Sequence, residues 1–233
     1  MSKRSTQGKR PGLWAVVPVK PFDRTKGRLA PLLSRPEREA LACAMLRDVL
    51  TALTQARELA GVVVVTGDAK AAKMARAAGA LVVRDAENAG TTAAVMKAAE
   101  HLTDAGCEGM LVIPADLPLI RAIDIKTIIA AHRASPSVTL VPASVDGGTN
   151  ALACSPPGAI RFSFGDDSFR QHRDSAKALG IEPQVLKIAR IEQDIDRPDD
   201  LAEFVQHPSS THSYDCLTAS GIAQRLWAAA GSV

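Results

Sequence analysis

Residues 61–83 read GVVVVTGDAKAAKMARAAGALVV. Val62 to Val65 form an uninterrupted β-branched run between Gly61 and Gly67, which predicts a short strand buried on both faces. The Ala-rich segment from Ala69 to about Ala78 predicts a helix, and Ala80 to Val83 predicts a further strand. A strand, a helix and a second strand within so short a span describe the repeating unit of a parallel sheet covered by helices.

The same alternation extends outward. Leu13 to Val19 and Met110 to Ile113 read as buried strands, and Val138 to Pro142, Ala151 to Cys154 and Gln184 to Ile188 as later ones. Ser34 followed by Pro36 and Glu37 predicts a capped helix running to about Ala60, with Leu41, Met45, Val49 and Leu53 on its buried stripe. Further helices are expected over 93–102, 124–132, 169–179, 199–204 and 218–230. The fold class expected is α/β, with a mainly parallel sheet between helices.

The 233 residues suffice for one well-buried domain, and aromatics are only 3%, so the core is built from Ala, Val, Leu and Ile. The net charge is +3, and Lys3, Arg4, Lys9 and Arg10 supply four positives at the start; without them 24 bases face 25 acids. The body is therefore no general polyanion binder, and the start reads as a flexible basic tail. Cys43, Cys107, Cys154 and Cys216 are far apart, with no Cys-x-x-Cys pair, which speaks against a zinc knuckle or a disulfide framework. Without a long apolar run, neither a membrane span nor a secretion signal is expected, and the expected compartment is the cytoplasm.

Open parallel sheets bind ligands beyond the carboxyl ends of their strands. Lys20 follows the first strand, and Asp116 follows the strand at 110–113, inside Pro114-Ala115-Asp116-Leu117-Pro118. A carboxylate in that apolar setting needs a partner. Two readings are open: Asp116 holds Mg²⁺, or it caps the next helix. Asp194 and Asp196 sit at strand spacing and form a second carboxylate pair. Lys20, Arg24, Lys26 and Arg28 make a cationic loop suited to a triphosphate and its leaving pyrophosphate. No Walker string and no Gly-x-Gly-x-x-Gly string is present. Gly147-Gly148-Thr149-Asn150 and Phe164-Gly165-Asp166-Asp167-Ser168 are either anion-binding loops or ordinary turns; in the first case the N-terminal amides of the helix after Ser168 add to the site. His101, His132 and His172 are isolated and read as structural, and Cys43 and Cys154 as core filling.

Taken in order, several of these motifs resemble the 2-phospho-L-lactate guanylyltransferases of coenzyme F-420 biosynthesis. They are Val-Pro-Val-Lys-Pro-Phe at 17–22, Lys26 with Arg28-Leu29, the 114–118 motif, Gly148-Thr149-Asn150-Ala151-Leu152, Phe164-Gly165 with Ser168-Phe169, and Asp194-Ile195-Asp196 followed by Pro198 and Asp200-Leu201. The resemblance spans Trp14 to Phe204. It implies a single-domain, nucleotide-diphospho-sugar-transferase-like (Rossmann-like) fold with a mixed sheet. It also implies GMP transfer from GTP to 2-phospho-L-lactate, phosphoenolpyruvate or 3-phospho-D-glycerate, with Mg²⁺ as cofactor.

Residue by residue, the resemblance implies Asp116, Asp194 and Asp196 for metal, and Thr149, Gly165 and Ser168 for the acceptor. It implies Lys20, Lys26, Arg28, Gly90 and Thr92 for the nucleotide, with Asp116, Lys20, Lys26 and Arg28 carrying catalysis. This chain has Gly27 where the family has Ser, Gly90-Thr91-Thr92 where Gly-Leu-Asn is usual, and Asp167 where Gly is common. Gly27 is expected to loosen its loop. The organisation expected is a tail at 1–12, a transferase domain at 13–205, and a linker with a C-terminal helix at 206–233. The partners are small molecules, with no nucleic acid or membrane, and a homodimer is compatible with the reading. The alternatives are a sugar-phosphate or other small-molecule nucleotidyltransferase, and a non-catalytic nucleotide-binding regulatory protein.

Overall fold

The structure, a computed structural model, describes residues 10–145 and 147–230. Most of the tail expected at 1–12 therefore lies outside the described residues. The first strand, β1 (Arg10–Val19), begins three residues before the expected start. Helix α1 (Arg35–Gln55) follows, then β2 (Gly61–Thr66), α2 (Ala69–Ala77), β3 (Leu81–Arg84), α3 (Thr91–Asp104) and β4 (Cys107–Val112). The second half holds α4 (Ala122–Ala131), β5 (Ser137–Pro142), β6 (Thr149–Ser155), α5 (Ser168–Ala178) and β7 (Gln184–Val185). Four more helices close the described chain: α6 (Ala189–Glu192), α7 (Pro198–Gln206), α8 (His212–Ala219) and α9 (Ile222–Ala230).

The sheet has seven strands in the order β3-β2-β1-β4-β6-β5-β7. Pairings around β1 are parallel, β6 runs antiparallel to β4 and β5, and β7 is parallel to β5. The α/β expectation of a mixed, mostly parallel sheet between helices describes this molecule. Side chains alternate between two cores. Ala15, Val17, Val64 and Leu111 pack beneath α1, α2 and α4, while Trp14, Val16, Val63 and Val112 pack beneath α3. Strands buried on both faces are what the unbroken valine run encodes. Trp14 lies flat over Gly61, where an added Cβ would sit 2.3 Å from the indole Cζ3.

β1 has β2 on one side and β4 on the other, so chain direction around the sheet reverses between β1 and β4. The register pairs Val16 with Val112, and it brings the segments after both strands to the same level. That crevice is the ligand position of a doubly wound sheet.

The Ser34 backbone N–H donates to Glu37 Oε2 at 2.7 Å, as the capping motif requires. Arg225 of α9 also reaches Glu37 at 2.7 Å, and with Ser34 it holds that carboxyl down at about 2. The helix expected over 218–230 is two helices that meet at Gly221, whose φ of +72° breaks the run. Both are packed in. Leu217, Ile222 and Ala223 join Leu29, Leu33, Leu41, Met45 and Phe204 in a third core. Asp48 of α1 accepts from the His212 N–H at 2.7 Å and the Ser213 N–H at 2.9 Å, satisfying the first donors of α8.

Candidate active site

A cleft of about 610 Å³ opens at the crevice between β1 and β4. Lys20, Lys26, Arg28, Asp116, Thr149, Gly165, Ser168, Asp194 and Asp196 all line it. Segments far apart in sequence thus converge where the sheet topology predicts.

The stretch after β1 folds into two single 3-10 turns, Phe22–Arg24 and Gly27–Leu29, rather than a featureless loop. Lys26 stands between them in the left-handed region, at φ 55°. Leu29 anchors the second turn in the third core with no exposed surface. Gly27 opens that turn with ordinary geometry, and a Cβ there would meet nothing within 4 Å. The sequence difference at 27 is therefore sterically free.

The Lys26 ammonium is buried and lies 2.9 Å from Asp116 Oδ2 and 3.7 Å from Asp196 Oδ1, and it also donates to the Ile195 carbonyl. Arg28 meets Asp196 at 2.8 Å. Asp194 accepts from the Asn150 amide at 3.2 Å. Burial, followed by the negative charge of Asp116, pushes the Asp194 carboxyl above the usual range. Asp116 is not a helix cap. The α4 start is capped by Asp124, which accepts from the Arg121 N–H at 2.9 Å and pairs with Arg190 at 2.7 Å.

Among the described residues, no group of three His, Cys, Asp or Glu side chains is arranged to hold a metal ion. Each of the three carboxylates expected as a ligand set already has a partner: Lys26 for Asp116, Arg28 and Lys26 for Asp196, and Asn150 for Asp194. Of these, Asp116 and Asp194 form an all-oxygen pair in which the negative charge of Asp116 acts on Asp194. A pair of that kind fits Mg²⁺, which takes one or two carboxylates and completes its shell with phosphates and water.

Thr149 and Ser168 also line the cleft, and both are buried with their hydroxyls 3.3 Å apart. The amides of Ser168 and Phe169 are already bonded, to the Gly165 and Gly147 carbonyls at 3.2 and 3.0 Å. The expected contribution of the α5 N-terminus to anion binding is reduced accordingly. Thr149 Oγ1 also lies 3.0 Å from His172 Nδ1. His172 is fully buried, so the structural reading of this residue misses its link to the site.

Thr92 does not line the cleft. Its hydroxyl accepts from the Phe164 N–H at 2.9 Å and ties the 164–168 loop to α3, while Thr91 faces the cavity. Gly90 and Thr91 border a smaller adjoining pocket with Lys20, Arg24, Asp85 and Asn88. Asp85 is paired with Lys97 at 2.9 Å.

This arrangement has counterparts among known proteins. The family described as "Guanylyl transferase CofC like" matches residues 13–228. The chain belongs to this CofC-like guanylyltransferase family. It is 38% identical over 199 residues to a phosphoenolpyruvate guanylyltransferase of Roseiflexus castenholzii, covering 85% of this chain and 90% of that one. It is 36% identical over 186 residues to a 3-phospho-D-glycerate guanylyltransferase of Colwellia psychrerythraea, covering 80% and 88%. A putative nucleotide-diphospho-sugar transferase from Desulfovibrio desulfuricans shares the fold at a TM-score of 0.72 and 16% identity, over 94% of this chain and 99% of that one. The CofC-like protein is thus a nucleotidyltransferase, and the family decides against the sugar-phosphate and non-catalytic alternatives. Among the described residues no helix is long and apolar enough to cross a membrane.

Proposed function

We propose that this chain transfers GMP from GTP to a phosphorylated three-carbon acid, phosphoenolpyruvate first among the candidates, in the assembly of coenzyme F-420. The observation that carries the reading is one cleft lined both by a carboxylate–ammonium cluster and by a pair of hydroxyls. The first suits a nucleoside triphosphate with its metal, and the second suits a small anion. The name of the relative at 38% identity favours phosphoenolpyruvate among the acceptors.

An oxygen of the acceptor phosphate attacks the α-phosphorus of GTP. A new P–O bond forms, the bond to the β-phosphate's bridging oxygen breaks, and pyrophosphate leaves with the electron pair. Lys20 and Arg24 are placed to balance charge on the triphosphate, while Arg28 keeps Asp196 oriented beside Lys26. Asp116 and Asp194 would hold Mg²⁺, whose chemistry here is withdrawal of charge from the phosphate oxygens. Thr149 would orient the acceptor as a hydroxyl donor, with Ser168, whose proton goes to Thr149, and the Gly165 backbone beside it. Asn88 and Asp85 in the adjoining pocket offer oxygen acceptors suited to the guanine N1–H and N2–H₂ donors.

A cytoplasmic location follows from the phosphorylated substrates, which do not cross membranes unaided. A homodimer is compatible with this reading, and sedimentation velocity tests it. The function is tested by pyrophosphate release from each of the four NTPs with each of the three acids. GTP with phosphoenolpyruvate and Mg²⁺ is expected to be fastest, and release independent of any added acid would contradict the reading.

A further inference from the structure

His172 belongs to none of the motifs that carry the family resemblance, yet it touches both parts of the acceptor subsite. Its Nε2 lies 3.0 Å from the Ser163 backbone nitrogen, and its Nδ1 lies 3.0 Å from Thr149 Oγ1. A backbone N–H can only donate, so Nε2 must be the unprotonated nitrogen. A neutral imidazole then carries its proton on Nδ1 and donates it to Thr149. Phe164 packs edge-on against the ring, with centroids 4.8 Å apart, and fixes its plane.

The consequence lies at Thr149. Its oxygen accepts from His172 and also from the Ser168 hydroxyl at 3.3 Å. Both lone pairs are engaged, so the Thr149 proton is left to point into the cleft. We propose that His172 is a positioning residue of the acceptor subsite, which makes the Thr149 hydroxyl a committed donor and so selects an oxygen that carries no proton. The class of group selected is a fully ionised phosphate or carboxylate, in preference to an alcohol. Burial supports a neutral ring at physiological pH, because it pushes the His172 imidazole down to about 4.

This inference rests on the assignment of Thr149 to the acceptor, and the test separates the two. We would measure KM for phosphoenolpyruvate and for GTP in the parent, Thr149→Val, His172→Phe, His172→Asn and the Thr149→Val/His172→Phe double variant. His172→Phe is expected to raise the acceptor KM about tenfold and to leave the GTP KM within about twofold. His172→Asn keeps an N–H at the Nδ1 position and is expected to retain an acceptor KM within about threefold of the parent. In the Thr149→Val background, the His172→Phe effect should vanish, since the two residues act as one unit. If the effect of His172→Phe adds in full to that of Thr149→Val, or if Asn and Phe are equally harmful, the positioning role is overturned while the acceptor assignment stands. If Thr149→Val leaves the acceptor KM unchanged, the acceptor assignment itself fails, and the inference with it. Should His172→Phe not fold, the comparison of His172→Asn with the parent decides: a tenfold rise in acceptor KM there overturns the proposal.

Discussion

The Lys26 ammonium stands 2.9 Å from Asp116 and 3.7 Å from Asp196, and it holds together two carboxylates that follow different elements, some eighty residues apart in sequence. A Mg²⁺ held by Asp116, as proposed, would compete electrostatically with Lys26 for that carboxylate.

Replacing Lys26 by Met tests this competition. Removing one partner of a largely buried pair leaves an uncompensated charge, so the melting temperature should fall in the absence of metal. Added Mg²⁺ should then stabilise Lys26→Met more than it stabilises the parent, because no ammonium opposes it. Thermal shift across a Mg²⁺ series measures both, and an equal shift in the two proteins would count against the shared position.

Acidification should destabilise the fold through two buried histidines. Burial lowers both His172 and His132 to about 4, against an ordinary value of 6.5. His132 is bonded at 3.0 Å to the Thr139 and Ser155 hydroxyls, and His172 to Thr149 and Ser163. Between these pH values the unfolded chain binds more protons than the folded one. The stability is thus fully present above about pH 6.5 and is lost as pH falls toward 4. Chemical denaturation from pH 7.5 to 4.5 should show the decline, and His132→Gln should flatten it.

Asp48→Ala should cost about 2 kcal/mol or more, because the buried Ser213 hydroxyl and two α8 amides lose their acceptor. Since Leu217 of α8 shares the third core with Leu29, a rise in GTP KM larger than that for the acid is expected. Urea melts together with kinetics check both parts.

Asp167→Gly should be neutral or stabilising by up to about 1 kcal/mol. Asp167 caps α5 in the left-handed region at φ 54°, where glycine is at ease. Its 2.6 Å bond to Arg170 is exposed, and exposed ion pairs contribute little. A loss well beyond that of a surface substitution would show that this contact matters more than the backbone.

The sheet was legible because burial on both faces leaves continuous apolar runs rich in Val, and the topology rule then placed Lys20 and Asp116 together. Thr149 and Ser168 were legible as motifs. His172 was not, because its importance arises from Thr149 and Ser163, neither of which is a helix neighbour, and an isolated histidine carries no periodic signal. Asp48 is similar: it serves α8 across 165 positions. Thr92, expected at the nucleotide, bonds to Phe164 while Thr91 lines the cleft; sequence shows their adjacency, and only the start of α3 decides which one lies there. The break at Gly221 was hidden by apolar spacing that continues through it.

The central claim is that this cleft transfers a nucleotidyl group with Asp116 holding the metal. Pyrophosphate release by Asp116→Asn, with GTP and phosphoenolpyruvate at saturating Mg²⁺, tests it most directly. Asn preserves shape and removes charge, so kcat should fall by about a hundredfold or more while the apo melting temperature stays near that of the parent. A folded variant with kcat within about threefold of the parent would contradict the account, since electrostatic terms of this kind cannot be lost without a large change in rate.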